Sequence, residues 1–231
     1  MTTQSIDKTE PAADLSLPAM AKNLAQGFGI LIFLSVVLGL VYPAVTTGVA
    51  QTALPHQANG SPVLYDGRPA GSAMIGQDWT DTGLFEGRPS AAGYNAKSSG
   101  ASNLSVSNPD YQAAVKARIE RWQAITGSSA PVPADLAAAS GSGLDPDITV
   151  EAARYQVPYV SKMTGLSPEA LEAMIAAHAR EELIGFAETP IVNVLALNLE
   201  AAKAAGWTFE DIAARKRAAQ EKQAAASSEA K

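Results

Sequence analysis

The chain contains no cysteine, so disulfides, zinc ribbons, iron–sulfur clusters and thiol nucleophiles are excluded together. Histidine is nearly as scarce. His56 and His178 are the only two, and any imidazole-based acid–base or metal site has to use one of them. Basic charge is also short: 17 Lys and Arg stand against 23 Asp and Glu, for a net charge of −6. The nonspecific electrostatics of a nucleic-acid binder are therefore missing. No GxxxxGK(S/T) loop is present, since glycine is never followed by lysine, and the GxGxxG, HExxH and GxSxG patterns are absent as well. What remains is a chain of 231 residues, 47% apolar and 17% charged, with room for one folded domain and some additions.

From Leu24 no charged residue appears until Asp66, and Phe28 to Val45 is dense in Ile, Leu, Val and Phe. About a dozen strongly apolar residues at roughly −0.3 to −0.6 kcal/mol each favour membrane insertion by about 5 kcal/mol. Gln26 to Thr46 supplies the roughly 20 residues that a spanning helix needs, and Gly39 and Pro43 are tolerated in such a helix. The competing reading is a cleaved signal peptide, with Gly48-Val49-Ala50 as a small-x-small site. The apolar run exceeds a signal h-region, and the preceding tail carries Asp7, Glu10 and Asp14 beside Lys8 and Lys22, which favours an uncleaved anchor. Lys22 precedes the span and the next basic residue is Arg68, so the N-terminus is expected inside and the remainder outside. Asp7-Lys8-Thr9 echoes a P-type ATPase phosphorylation triplet, but Glu10 replaces the glycine and no such domain surrounds it.

Thr52 to Asn108, rich in Gly, Pro, Ser and Asn, predicts short strands and tight turns around Pro62–Tyr65 and Ser72–Ile75. Asn108-Pro109 opens a helix with Tyr111, Val115, Ile119, Trp122 and Ile125 at helical spacing, closed by Gly127. A second helix starts at Thr149 with Ala152, Tyr155, Tyr159 and Met163 inward, is kinked or split by Pro158, and stops at Gly165. Ser167-Pro168-Glu169 begins a third, with Leu171, Met174, Ile175 and His178 on one side. His178 reads as a structural histidine and His56 as interfacial. Pro190 to Leu199 is a strand or the start of a helix. From Thr208 an Ala, Lys, Glu and Arg-rich helix has little apolar face beyond Phe209 and Ile212, and is expected to be solvated and frayed. The predicted fold is α+β: a tail over 1–23, a transmembrane helix over 24–49, one mixed extracytoplasmic domain over 50–200, and a charged helical extension over 201–231.

Three loops stand out: Gly76-Gln77 to Gly87-Arg88-Pro89-Ser90; Ser99 to Leu104 running into Ser107-Asn108-Pro109; and Ser140 to Pro146, followed by Gln156. Successive backbone N–H groups in such loops form anion-binding nests, or else the loops are turns ordered by their own polar side chains.

These loops carry a resemblance. Leu40-Val41-Tyr42-Pro43, Gln57 to Ser61, Ile75-Gly76-Gln77, Gly87-Arg88-Pro89-Ser90-Ala91, Ser102-Asn103-Leu104, Ser107-Asn108-Pro109, Val132 to Leu136, Ala139 to Asp145, Pro190 to Val194 and Leu197-Asn198-Leu199 resemble, in order, the C subunit of the Kdp potassium-transporting ATPase. Ala101 stands where that family usually has a second glycine, and the tail after Glu200 is longer than usual. The resemblance implies an accessory membrane subunit with no catalytic residues and no metal. It also implies three partners: a channel-like potassium-binding subunit, a P-type ATPase subunit and a very small fourth subunit. ATP enters only through the ATPase subunit, whose affinity for it this family is described as raising. Gln77, Arg88, Ser102, Asn103, Asp145 and Gln156 are the candidate contact or loop-ordering residues. A stand-alone membrane-anchored envelope-binding protein and a secreted hydrolase are the alternatives.

Overall fold

The structure, a computed structural model, describes residues 16–181 and 189–229 and falls into two compact units, Met1–Asn59 and Gly60–Lys231. The Asp7-Lys8-Thr9 triplet lies outside the described residues.

In the first unit, α1 (Leu17–Val36), a π-helical turn (Val37–Val41) and α2 (Tyr42–Ala53) form one uninterrupted helix, Leu17–Ala53. It is long and apolar enough to cross a membrane and extends past both ends of the expected Gln26–Thr46 span. Phe28, Leu31, Phe33, Leu38 and Leu40 are all exposed, a surface that water tolerates poorly. The π turn has a local cause. Pro43 lacks an N–H, and its ring would collide with the carbonyl of Gly39 in a regular α-helix. One residue earlier, the Tyr42 N–H donates to the Val37 carbonyl across a widened turn, which lets the helix continue through the proline. A single short turn, α3 (Pro55–Ala58), closes the unit.

In the second unit, β1 (Pro62–Tyr65) and β2 (Arg68–Ser72) form an antiparallel hairpin. Its turn is Asp66-Gly67, with φ of 51° and 73°, the pair of positive dihedrals that a two-residue type I′ turn demands. Ser72–Ile75 contributes only its first residue to a strand and otherwise turns. After the loops, α4 (Pro109–Thr126) starts where expected. The Asn108 side chain accepts from the Asp110 and Tyr111 N–H groups, and Gly127 ends the helix at φ 67°. A short α5 (Ala134–Ala137) precedes a second antiparallel pair, β3 (Asp147–Thr149) with β4 (Ile191–Asn193). Each of these strands runs directly into a helix. Thr149 caps α6 (Val150–Thr164) and Asn193 caps α8 (Val194–Ala204), so Pro190–Leu199 is strand and helix in succession. Between them α7 (Pro168–His178) is capped by Ser167 and buries Leu171 and Ile175.

The central helix is α6, which packs against α4, α5, α7 and both strands of the second sheet. Its inward face differs from the expected one. Ala153, Gln156, Val157 and Val160 are buried together with Ala152 and Tyr159, whereas Tyr155 is half-buried and Met163 is 40% exposed. Pro158 does not split the helix, and it lies on its exposed side. Trp79, Leu84, Phe85, Trp122, Leu136, Ile148 and Val192 complete the core, and Trp122 meets Tyr159 edge to face at 6.2 Å. Last comes α9 (Phe209–Glu229), which docks on the domain rather than standing free: Ile212 and Ala219 are buried.

Candidate functional site

The three loops singled out by composition meet. The Ser140–Pro146 loop runs between the other two and is bonded to both. The Gly76 N–H donates to the Leu144 carbonyl (2.8 Å), Ser90 Oγ to the Gly143 carbonyl (2.6 Å) and the Ser140 N–H to the Pro89 carbonyl (2.9 Å). On the other side the Gly100 N–H (2.8 Å) and Ser99 Oγ (2.9 Å) both donate to the Ser142 carbonyl. Two glycines make the approach possible. A Cβ at Gly76 would sit 2.4 Å from the Asp145 carbonyl oxygen, and one at Gly143, where φ is 68°, would sit 2.7 Å from that of Gly100. Backbone packed against backbone leaves no room for a side chain.

The loop's own hydroxyls take up its donors. Ser140 Oγ accepts from the Ser142 and Gly143 N–H groups, Ser142 Oγ from Leu144 and Asp145 Oδ1 from Asp147. Four N–H groups that an anion-binding nest would need are thus already bonded, and the loop is a set of side-chain-ordered turns.

At the edge of this junction lies a 140 Å³ cavity lined by Arg88, Asp135, Asp145, Asp147 and Thr149. Arg88 Nη1 donates to Asp145 Oδ2 at 3.1 Å, while its Nε, buried without a hydrogen-bond partner, lies 3.6 Å from Asp135 Oδ1. Asp135 Oδ2 in turn accepts from the Thr149 N–H, tying this ion pair to the start of α6. Burial pushes the Asp147 carboxyl above its usual range, against the opposing pull of Arg180 and a bond from Asn193. Among the described residues no group of three or more His, Asp or Glu side chains is placed to hold a metal ion.

Of the expected residues, the structure brings Arg88 and Asp145 together and separates the rest. Gln77 faces β2 and α9, with Nε2 donating to the Ala70 carbonyl and Oε1 accepting from Lys216. Ser102 and Asn103 stand on an exposed arm with Leu104 and Val106, each bonded only within its own turn. Gln156 is wholly buried beneath the first loop. Its Oε1 accepts from the Glu86 N–H (2.7 Å) and its Nε2 donates to the Glu86 carbonyl (3.0 Å). Asn198 of α8 makes the same two bonds to Phe85, both at 2.8 Å. These two amides give Phe85 and Glu86 the hydrogen bonds that a neighbouring strand would otherwise provide.

Sequence reasoning missed the charged cluster attached to this cradle. Arg121 of α4 donates to both Glu86 oxygens (2.6 and 2.9 Å) and to Asp81 Oδ1 (2.7 Å). Burial works against the Arg121 charge, but its bonds to Glu86 and Asp81 outweigh that and raise its pKa above the ordinary value. Tyr159, whose hydroxyl accepts from the Gly83 N–H, is pushed up to about 12 by burial and by the Glu86 charge. The available signal was a pair of arginines, Arg118 and Arg121, one turn apart beside Trp122 on the inward side of α4.

Residues 24–203 match the family model described as KdpC: K+-transporting ATPase, c chain. The chain belongs to the KdpC family. It is 49% identical over 170 residues to the potassium-transporting ATPase KdpC subunit of Variovorax paradoxus, covering 72% of this chain and 88% of that one. The KdpC subunits of Pectobacterium atrosepticum and Escherichia coli O157:H7 are 44% and 42% identical, each covering 77% of this chain and 95% and 96% of their own lengths. The KdpC match takes in most of the apolar helix, the three-loop junction and the Gln156–Asn198 cradle, and it ends before α9 begins at Phe209.

Proposed function

We propose that this chain is the accessory, non-catalytic subunit of an ATP-driven, high-affinity potassium uptake complex, needed for the complex to assemble and work. The observation that carries the reading is the KdpC match over residues 24–203, together with relatives named as subunits of a potassium-transporting ATPase. In this reading the Leu17–Ala53 helix anchors the chain in the bacterial cytoplasmic membrane, N-terminus inside, and packs against neighbouring helices and lipid. Lys22 before the apolar run and Arg68 as the next basic residue support that orientation.

The domain outside caps or clamps the channel-like, potassium-binding subunit near its outer entrance. A domain with interlocked loops suits a clamp, because a pre-ordered surface loses little entropy on docking. The arm around Ser102 and Asn103 is its natural contact, since Leu104 and Val106 are exposed there at 42% and 75%. Arg88, Asp145 and Gln156 order the loops behind it. The P-type ATPase subunit and the very small fourth subunit complete the complex. A P-type ATPase binds nucleotide in the cytoplasm, which a domain outside the membrane cannot reach. Any gain in ATP affinity is then a coupling free energy between conformations of the complex, and ATP is bound by the ATPase subunit alone.

Deleting the domain should abolish potassium-stimulated ATP hydrolysis by the purified complex, and undiminished hydrolysis would sink the reading. Topology has a separate test, because the native chain has no thiol. In intact cells a membrane-impermeant maleimide should label Ser129→Cys, at an exposed position, and spare Ala12→Cys. The reverse pattern would place the domain in the cytoplasm and make direct action on nucleotide binding the leading mechanism.

A further inference from the structure

The helix α9 lies beyond the family-matched segment, yet it is fastened along most of its length to residues inside that segment. Its N-terminus is fixed by a reciprocal cap: the Thr208 N–H donates to Asp211 Oδ2 (2.8 Å) and the Asp211 N–H to Thr208 Oγ1 (3.3 Å). The Phe209 N–H donates to Asp66 in the hairpin turn, while Arg68 stacks over the Phe209 ring and pairs with Glu210. Further along, Ile212 and Lys216 line a 90 Å³ cavity with Ala70, Trp79 and Leu199. Lys216 Nζ sits 3.6 Å from the centre of the Trp79 ring and donates to Gln77 Oε1 at 2.6 Å. Arg215 stacks on Trp207 at 3.7 Å and donates to the Thr82 carbonyl, and Lys222 pairs with Asp81. Phe209, Ile212, Lys216, Ala219 and Lys222 lie on one helical face, and the contacts of Phe209, Lys216 and Lys222 reach the hairpin and the stretch from Gln77 to Asp81.

We propose that α9 is an intramolecular latch, pinned by Lys216, that holds the segment from Gln77 to Gly83 in place and opens at lower cost than the domain core. Its grip explains the second half of that statement. Beyond Phe209, Ile212 and Ala219 the face is cationic, and exposed pairs such as Lys222–Asp81 are individually weak and screened by salt. Burial pulls the Lys216 ammonium down to about 8, with Asp78 opposing, so at neutral pH the docked charge carries a desolvation cost, against which stand the Trp79 face and the Gln77 oxygen. A segment held mainly by such contacts opens locally, without global unfolding. The segment it holds leads through the Phe85–Glu86 cradle into the loop junction, so the latch orders that surface from within the same chain, whatever the domain docks against.

Amide hydrogen exchange on the full chain in mild detergent tests this. The Thr80, Asp81, Thr82 and Gly83 amides are all hydrogen-bonded when the latch is closed. A chain ending at Thr208 keeps Trp207, whose carbonyl accepts from Tyr65, and should exchange these four amides at least about tenfold faster while α6 keeps its protection. Lys216→Ala should accelerate the same amides by a smaller factor, and Lys203→Ala, on α8, should not. Unchanged exchange in the chain ending at Thr208 or in Lys216→Ala would overturn the proposal. So would a parallel loss of protection in α6, which would make α9 part of the core.

Discussion

Replacing Gln156 by Leu removes the side chain that serves both backbone groups of Glu86 in a place water does not reach. Leu fills a similar volume, so the substitution isolates hydrogen bonding from packing. The Glu86 N–H and carbonyl, bonded at 2.7 and 3.0 Å in the parent, are left without partners. Each unsatisfied buried group costs about 1–3 kcal/mol, for a gross loss of roughly 2–6 kcal/mol. Burying methyl groups in place of an amide returns about 1 kcal/mol, which leaves a net loss of about 1–5 kcal/mol. For a domain of this size that corresponds to a fall in melting temperature of roughly 2–20 °C. Thermal and urea unfolding of the full chain in detergent, followed by circular dichroism and tryptophan fluorescence, measures it. Asn198→Leu removes the equivalent pair from Phe85 and should fall in the same range. Ser102→Ala, on the exposed arm, should stay within about 0.5 kcal/mol of the parent. If Gln156→Leu melts with the parent, these amides do not hold the segment and the account of the cradle is wrong.

Gly76→Ala should destabilise more than an ordinary loop substitution, by about 2 kcal/mol or more, because its new Cβ meets the Asp145 carbonyl and neither backbone can move alone. Gly143→Ala adds a positive φ to a similar clash and should lose at least as much, again read by urea unfolding. Arg88→Gln leaves Asp135 and Asp145 facing one another without the cation between them, and should cost on the order of 1 kcal/mol, read by urea unfolding. For Asp81, burial raises the pKa but bonds from Arg121 and Lys222 more than compensate, so the folded value lies below the usual one. Its contribution is complete above the unfolded value near 3.9 and is lost as pH falls through the lower folded value. Domain stability in urea should therefore show no loss from this group between about pH 7 and 5 and lose its contribution below about pH 4, and Asp81→Asn should lack that contribution already at neutral pH.

The parts of this fold that could be read in the sequence are those whose physics is local. Asn108, Thr149 and Ser167 cap helices with their own side chains, Gly127 and Gly165 end them at positive φ, and Asp66-Gly67 sets the hairpin turn; none needs a distant partner. The second sheet was illegible because each strand has three residues and the pair joins Ile148 to Val192 across the whole of α6 and α7. The latch was illegible for a different reason: its inward stripe is built from Lys216, Ala219 and Lys222, whose aliphatic stems pack while their charges find rings and carboxylates. Composition located the loops, but the meeting of Arg88 with Asp145 is fixed by how α6 and the Ser140–Pro146 loop pack.

The inward turn of α6 shows what signal was nevertheless present. Helical spacing allows the stripe Tyr155, Tyr159 and Met163 as readily as the one through Gln156, and an amide weighs against burial on any hydropathy scale. Yet Ala152, Ala153, Tyr159 and Val160, three and four residues on either side of Gln156, are all buried, as are Val194, Leu195, Ala201 and Ala202 around Asn198. An uncharged amide at the centre of such a face needs partners for its donors and acceptor, and here both amides find them in backbone that no helix or strand pairs. The segment from Leu84 to Glu86 is that backbone: it crosses the core outside any helix or strand. Gln156 and Asn198 thus hold one irregular stretch of chain between them, and it is their burial together with those bonds, more than the spacing, that marks it.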